Sequence, residues 1–400
     1  MGYSKYLRYQ NNKISNEQYQ SNVSTASSWM KNADAALVNV TDLLQTFKAK
    51  VEQGSNSTNN ESDMKDIAKE LLANVQEQVA DLNTQIGDRF LFAGQKDTTM
   101  PFEISADKMN RGDTFTLDEK QSAFFSGATG WGDENTTVKQ MLKLKGDDGN
   151  SYYMNVNTGD VYTEDFVKNG YKNEDKFDPK TQAVCNITSG TVGTVKAYNV
   201  SENFDQYGVI KTDAGVGTNA KYNVTVDGKQ VNLSLSYTKQ YIVKYAGDDK
   251  YISMVKKNGG VDKATDTVNV TGQDINGCDL FDVGNDPHSG TARLNQLLYT
   301  VAKMDAADYK WAGEQGMTIA DSAHATVLGA QTKMAARQQA YNSSSSMLVT
   351  QNESITSDIS DVSSTDVAQL ATKLMEYQTI YSLSLSVGSK ILPGTLADYL

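Results

Sequence analysis

The stretch VSTASSWMKNADAALVNVTDLLQTFKAKV, residues 23–51, decides the fold of this chain. Its apolar residues recur at gaps that alternate between three and four, which is the heptad pattern of a coiled-coil seam. A helix over these residues is roughly 45 Å long, at about 1.5 Å per residue. We therefore predict a long helix that needs partner helices along one face. The seam consists of Val23, Ala26, Met30, Ala33, Leu37, Val40, Leu44, Phe47 and Val51.

A second helix is predicted over residues 61–86, because apolar residues again follow one face from Met64 to Ile86. The polar loop at 55–60 is short, so the two helices should be antiparallel neighbours. Gly87 is expected to end the second helix. The apolar run DRFLFAG at 88–94 then predicts the first strand of a β-hairpin, with Pro101 and Phe102 on its return. The residues singled out in this hairpin are Arg89, Phe90, Phe92, Gly94, Pro101 and Phe102.

The central part of the chain, residues 103–285, loses helical periodicity and is rich in Gly, Asn, Asp, Thr and Tyr. Between residues 222 and 254 apolar and polar residues alternate, with Asp227-Gly228 as a turn, so we predict a β-meander there. The insertion is one β-rich domain or two small subdomains.

Helical patterns return after Asp286-Pro287, which suits the start of a helix. One predicted helix has a seam over residues 320–348 that includes Val327, Met334 and Tyr341. A further helix is predicted over 364–390. Its apolar face carries Val367, Leu370, Leu374, Tyr377 and Tyr381.

These patterns predict an α+β multidomain protein: an elongated antiparallel helical bundle or coiled coil built from both chain ends, with a β-hairpin and a β-rich inserted domain. We divide it into residues 1–102, 103–285, 286–362 and 363–400. The predicted assembly residues of the helix seams are Val23, Met30, Leu37, Leu44, Val327, Met334 and Tyr341. Those of an apolar terminal tail, which needs cover from another subunit or from its own bundle, are Leu385, Ile391, Leu392, Leu396 and Leu400.

Composition excludes several classes of protein. The net charge of −12 argues against nucleic-acid binding, and no run of eighteen apolar residues predicts a membrane span. Cys185 and Cys278 are compatible with one disulfide or two free thiols. We expect no enzyme, metal site or cofactor: no catalytic motif occurs, His288 and His324 lack partners at ligand spacing, and Asp279, Asp282, Asn285 and Asp286 do not follow a calcium-loop spacing. Three tryptophans, Trp29, Trp131 and Trp311, raise the alternative of stacking platforms for sugars.

Several segments resemble the flagellin superfamily and, within it, the hook-associated protein 3 family. The stretches 17–20, 26–30, 35–44 and 67–71 are similar to that family's first two helices, and 83–94 with Pro101-Phe102 is similar to its hairpin. Residues 245–249, 268–272, 279–281, 368–374 and 378–383 and the end of the chain, 391–400, continue the likeness. A further amphipathic segment found at the start of family members has no counterpart here, so we expect a monomer that assembles incompletely.

The resemblance implies a structural part of the bacterial flagellum at the hook–filament junction. It implies as partners a hook-side junction protein (hook-associated protein 1), flagellin, copies of the same chain in a ring or layer, and an export chaperone. It also implies an extracellular location reached by flagellar type III export. Two alternatives stay open: flagellin itself, and an extracellular adhesin or saccharide-binding protein that acts through its β-rich domain.

Overall fold

The computed structural model describes residues 2–127, 138–169, 182–187, 204–211, 221–252, 267–277, 280–281 and 290–391. Helices come from both chain ends and β-strands lie between them, so the predicted α+β class is confirmed. The chain forms two compact units. One contains Met1–Ser28 and Gln338–Leu400, and the other contains Trp29–Arg337.

Two helices open the chain, α1 (Gly2–Gly54) and α2 (Glu61–Leu82). All nine predicted seam positions of α1 are buried, so the seam is confirmed as a packing face. Helix α2 begins with a capping box. The Asn60 side chain accepts a hydrogen bond from the backbone N–H of Asp63, and the Asp63 carboxylate accepts one from the backbone N–H of Asn60. Within the unit Trp29–Arg337, α1 and α2 are joined by the Lys50–Glu70 ion pair.

The predicted end of α2 and the predicted hairpin are both wrong. Helix α2 stops at Leu82, and β1 (Gln85–Ile86) pairs with β2 (Arg89–Phe90) across a two-residue turn. Gly87 lies in that turn with a φ of +64°, a conformation that glycine adopts without steric cost. The expected return strand, β3 (Phe102–Ile104), pairs instead with a strand about 140 residues later in the sequence, so nothing local predicts its partner.

The β-rich region contains a sheet of seven described strands. Its order is β10-β11-β6-β7-β8-β9, and β5 also pairs with β6. Short helices α3 (Glu119–Gly127) and α4 (Glu164–Asn169) lie in the same part of the sequence. The strands are β5 (Thr114–Thr116), β6 (Gln140–Gly146), β7 (Ser151–Met154), β8 (Asp160–Thr163), β9 (Cys185–Asn186), β10 (Lys221–Val226) and β11 (Lys229–Leu235).

The predicted meander is correct only for its first hairpin. Strands β10 and β11 are joined at Asp227-Gly228, both with positive φ, as a tight hairpin turn requires. The chain then leaves this sheet. Strand β12 (Tyr237–Gln240) pairs with β4 (Met109–Gly112), and β13 (Val243–Tyr245) pairs with β3. Met254, at the predicted end of the meander, lies outside the described residues.

The C-terminal helical part contains α5 (Gly272–Asn276), α6 (Ala292–Asp305), α7 (Tyr309–Trp311), a π-helical segment (Ala312–Gly316) and α8 (Met317–Ile391). The two helices predicted over 320–348 and 364–390 are one continuous helix, α8. No glycine or proline occurs between Gly329 and Gly388, so no helix-breaking residue separates them. Asp286-Pro287, the predicted helix start, lies outside the described residues.

Helix α6 is the centre of the unit Trp29–Arg337, since every side chain from Ala292 to Val301 is buried. It carries a buried arginine, Arg293, that donates to two amide oxygens, Gln78 Oε1 at 2.7 Å and Asn276 Oδ1 at 3.1 Å. Burial lowers the pKa of Arg293 to about 9. Helices α2, α5 and α6 are thereby joined through one guanidinium group.

Three amide side chains attach the β-strands to the helices in the same way. Each bonds both the backbone N–H and the C=O of one strand residue. Asn83 bonds Phe102 at 3.0 and 2.9 Å, Asn295 bonds Val243 at 2.8 and 3.2 Å, and Gln315 bonds Thr116 at 2.9 and 3.2 Å. Since a strand edge leaves its backbone groups unpaired, these two-point amide clamps satisfy them where the β-region meets the helices.

We predict that Asn295→Asp removes the donor to the Val243 carbonyl and places a carboxylate in a buried site. The loss of unfolding free energy should be at least about 2 kcal/mol at pH 8, measured by urea denaturation followed by circular dichroism. Burial raises the folded-state pKa of such a carboxyl above its unfolded value. The penalty should therefore grow as pH rises from the unfolded pKa through the folded one.

The control is Asn39→Asp, at an exposed position of α1. It should change the unfolding free energy by less than about 0.5 kcal/mol. Equal losses in the two variants would show that the Asn295 clamp contributes nothing.

Candidate assembly surface

The seven seam residues predicted for assembly are all buried in the chain's own packing. Their exposed fractions are 6% or less; the residues are Val23, Met30, Leu37, Leu44, Val327, Met334 and Tyr341. In this conformation their side chains serve the intramolecular core and leave little surface for another subunit.

An exposed apolar stripe lies further along α8, in the unit of Met1–Ser28 and Gln338–Leu400. We call it the C-terminal stripe: Leu370, Leu374, Tyr377 and Tyr381, with exposed fractions of 73%, 59%, 67% and 68%. Their gaps of four, three and four place them on one helix face. All side chains from residue 368 to 384 are exposed, and Met375, Ile380 and Leu383 extend the apolar surface.

The same unit shows how α1 and α8 pair before the stripe begins. The Asn16 side chain donates to Gln351 Oε1 at 3.4 Å, and the Gln20 side chain donates to the Leu348 carbonyl at 3.1 Å. As the residue number rises along α1, that of its α8 partner falls, so these helix segments are antiparallel. The stripe starts about 19 residues beyond this contact, roughly 28 Å along the helix. Buried seam and exposed stripe are therefore separate surfaces.

Most residues of the predicted apolar tail lie outside the part of the chain that the structure describes. Leu392, Leu396 and Leu400 lie outside the described residues. Leu385 and Ile391 belong to α8, but their side chains lie outside the description. The proposal that the tail takes part in assembly therefore stands on its apolar sequence.

The residues of the predicted hairpin build a compact loop junction. Arg89 pairs with Asp97 at 3.3 Å. Phe92 and Phe102 are buried, and the Phe102 ring lies 5.0 Å from that of Tyr245. The Tyr245 hydroxyl donates to the Phe92 carbonyl at 2.9 Å, and burial raises the pKa of Tyr245. Phe90 is half-buried and Pro101 is buried.

Gly94 is the most constrained residue of this junction. Its φ is +69°, and a Cβ placed there would overlap the carbonyl oxygen of Asp248. Only a residue without a side chain fits this approach of two backbones.

We predict that Gly94→Ala destabilises the protein far more than Gly87→Ala. Both residues have a positive φ, and the strain costs about 1–2 kcal/mol in either case. Only at Gly94 does an overlap add about 1–3 kcal/mol, because nothing lies within 4 Å of a Cβ at Gly87. Urea denaturation of both variants tests this, and equal losses would contradict the close approach.

Few groups suited to chemistry occur in the described part of the chain. It holds no cluster of three or more His, Cys, Asp or Glu side chains arranged to bind a metal ion. Cys185 carries a free thiol whose pKa burial and the Asp160 charge raise to about 11, so it is a poor nucleophile at neutral pH. Several residues considered in the sequence lie outside the described residues. They are His288, Cys278, Trp131 and the positions Asp279, Asp282, Asn285 and Asp286. Among the helices that are described, none is both long and apolar enough to cross a membrane.

Sequence reasoning noted the C-terminal stripe as a helix face but placed the assembly residues in the seams and the tail. It missed the clamp residues Asn83, Asn295 and Gln315 altogether. A single amide in a helix or loop carries no periodic signal, and its partners lie 19, 52 and 199 residues away in sequence.

Comparison with known proteins finds both similar sequences and similar solved structures. No protein-family model matches the chain. Flagellins of Salmonella montevideo and Salmonella moscow are 25% identical to it over an alignment of 253 residues, which covers 54% of this chain and 48% of each flagellin. The chain thus spans about half the length of the curated relatives it matches.

Solved structures of three proteins were also found to be similar to this chain. One, from Vibrio parahaemolyticus, is provisionally named a flagellar hook-associated protein; it is 14% identical, with a TM-score of 0.46 over 89% of this chain and 95% of that one. The flagellar junction protein FlgL of Legionella pneumophila is 12% identical, with a TM-score of 0.37 over 85% and 99%. Bacillus cereus FlgL is 10% identical, with a TM-score of 0.38 over 88% and 98%.

The flagellin relatives are independent of these structures, because they rest on sequence. The predicted resemblance to the flagellin superfamily is thus confirmed in sequence, over about half of the chain.

Proposed function

We propose that this chain is a non-enzymatic structural subunit of a bacterial flagellum that acts as an adaptor at the hook–filament junction. The observation that carries the proposal is the exposed C-terminal stripe, which has coiled-coil spacing and no cover within the described residues. The sequence similarity to flagellins supports a flagellar role. The sequences of residues 83–102 and 391–400, which resemble hook-associated protein 3, favour the junction over the filament.

The mechanism is one of packing, with no bond made or broken. Burying one large apolar side chain contributes about 1.5–3 kcal/mol. A helix of a neighbouring subunit that covered Leu370, Leu374, Tyr377 and Tyr381 would therefore gain several kcal/mol per contact. Seam spacing fixes the register of such a contact, since only helices with matching apolar positions interlock along it.

The partners follow from this role and from the resemblance. On one side the chain would dock the hook-side junction protein, hook-associated protein 1, and on the other flagellin. Copies of the chain would lie side by side in a ring or layer, and an export chaperone would cover its apolar surface before secretion. The location would be extracellular, at the flagellum, after flagellar type III export.

The second candidate is flagellin itself, the subunit of the filament. The sequence relatives favour it, because both are flagellins. The two roles differ in self-assembly: a filament subunit polymerises alone into long filaments, whereas a junction adaptor forms a layer of limited thickness.

The test is assembly of the full natural protein, including any sequence that precedes residue 1, on isolated hook ends, viewed by electron microscopy. A junction adaptor should form a thin layer that then accepts flagellin. If the protein alone forms long filaments, it is flagellin and not a junction adaptor. Absence of any binding to hook ends would overturn the junction proposal.

We predict that the double substitution Leu374→Ser and Tyr381→Ser abolishes this layer and leaves the fold intact. Both side chains are exposed on α8, so the free energy of unfolding should change little, while each lost apolar contact weakens association roughly tenfold or more. Hook-end occupancy by electron microscopy measures the effect, and circular dichroism checks the fold.

The matched control is Thr372→Ser with Thr379→Ser, on the opposite face of the same helix turns. Both hydroxyls bond backbone carbonyls of α8, as serine also does. This variant should assemble normally. Equal occupancy of the two double variants would show that the stripe is not the docking face.

A further inference from the structure

A pocket of about 160 Å³ lies in the unit Trp29–Arg337, beside the π-helical segment and strands β5 and β6. Six charged side chains line it, three amines and three carboxylates. They are Lys143, Lys168, Lys310, Glu164, Asp308 and Glu314. Their formal charges sum to zero, so the pocket has no net preference for an anion or a cation.

Most of these groups already have partners within the protein. Lys168 pairs with Glu164 at 3.0 Å and with Glu314 at 2.7 Å, which holds α4 against the π-helical segment. The Asp308 carboxylate accepts from the backbone N–H of Trp311 at 3.1 Å. The carboxylates keep further acceptor positions, because each has about four lone-pair sites.

Among the amines of the pocket, Lys143 differs from the paired Lys168. It is half-buried, and no carboxylate of the described residues lies within ion-pair distance of its Nζ. Burial and the charge of Lys303 lower its pKa. Lys143 lines the pocket, and an oxygen atom of a ligand bound there would supply its ammonium group with an acceptor in place of water.

Aromatic side chains supply the apolar part of the wall. Trp311 lines the pocket together with Phe115 and Tyr153. The indole is held edge-on against the Tyr299 ring, with the centroids 5.0 Å apart. Trp311 was one of three tryptophans whose sequence context raised the alternative of sugar stacking, and it is the one that the structure places in a pocket.

The wall of the pocket is also rigidly supported. Trp311, Glu314 and Gln315 come from the π-helical segment and the residue before it. The buried Gln315 side chain is fixed by its two bonds to Thr116 on β5. Segments of π-helix are rare in proteins as a whole. Those that do occur are often found at functional sites. Pre-organised donors and acceptors bind with a smaller entropic cost than mobile ones.

We propose that this pocket binds one neutral sugar ring. A sugar hydroxyl both donates and accepts, so a polyol satisfies amines and carboxylates at once without adding charge to a neutral site. A cavity of about 150 Å³ accommodates benzene, so this pocket has room for the six ring atoms of a sugar, and its open side leaves space for part of the ring's substituents. The C–H groups of such a ring suit the indole of Trp311, and its hydroxyls suit Lys143, Glu164 and Glu314.

The experiment is isothermal titration calorimetry of the full chain with the methyl glycosides of glucose, galactose, mannose and N-acetylglucosamine. Cyclohexanol serves as an apolar ring of similar size, and glucuronate as a charged sugar. At least one neutral glycoside should bind more tightly than both. Tryptophan fluorescence should change with the same midpoint.

Two variants locate the site. Lys143→Met keeps the aliphatic stem and removes the donors, and Trp311→Phe keeps an aromatic ring. Each should weaken binding about tenfold or more. The control Lys145→Met lies two residues along β6, is exposed, and is absent from the pocket wall, so its affinity should be unchanged.

Several outcomes would overturn the proposal. One is that none of the four glycosides binds a chain whose circular dichroism shows it folded. Another is that Lys143→Met and Trp311→Phe bind as the unsubstituted chain does. Tighter binding of glucuronate would reassign the pocket to a carboxylate ligand, and tighter binding of cyclohexanol would make it a plain apolar site. None of these results bears on the hook-end assay.

Discussion

The burial of one uninterrupted apolar seam along α1 is the constraint on which the rest of the structure depends. Nine seam residues between Val23 and Val51 are nearly inaccessible to water. A single helix cannot hide them, so other segments must lie along it. A Cβ atom added at Gly54 would overlap the Met304 side chain of α6. The helices therefore approach closely, and the seam sets where the helical parts of the chain converge.

The β-rich region depends on this helical framework in a different way. Its own strands pack around apolar residues on both faces of the seven-stranded sheet. Its attachment to the helices relies on buried amides, each of which bonds both polar backbone groups of one strand residue. Such contacts demand both correct distance and correct direction, so they specify position more sharply than apolar packing does. Strands β3, β5 and β13 are each held in this manner.

Heptad-spaced surfaces of the chain differ in whether the chain itself covers them. The seam of α1 is buried by packing within the chain, whereas the C-terminal stripe of α8 is exposed to solvent. Spacing alone does not separate them, since a helix face looks the same in sequence whether the chain or a neighbour covers it. Exposure distinguishes a core from a docking surface. The proposed function therefore rests on Leu370, Leu374, Tyr377 and Tyr381 more than on the residues with the clearest sequence pattern.

The sequence by itself determined the local structure: helices at both ends, the α1 seam and the Asp227-Gly228 hairpin. Each arises from contacts between residues close in sequence, so periodicity and turn chemistry reveal it. Only the tertiary structure decided that β3 pairs with β13 and that Trp311 and Lys143 share a pocket. Those outcomes join residues far apart along the chain. Their pairing depends on which buried polar groups find partners in three dimensions, and no local pattern records it.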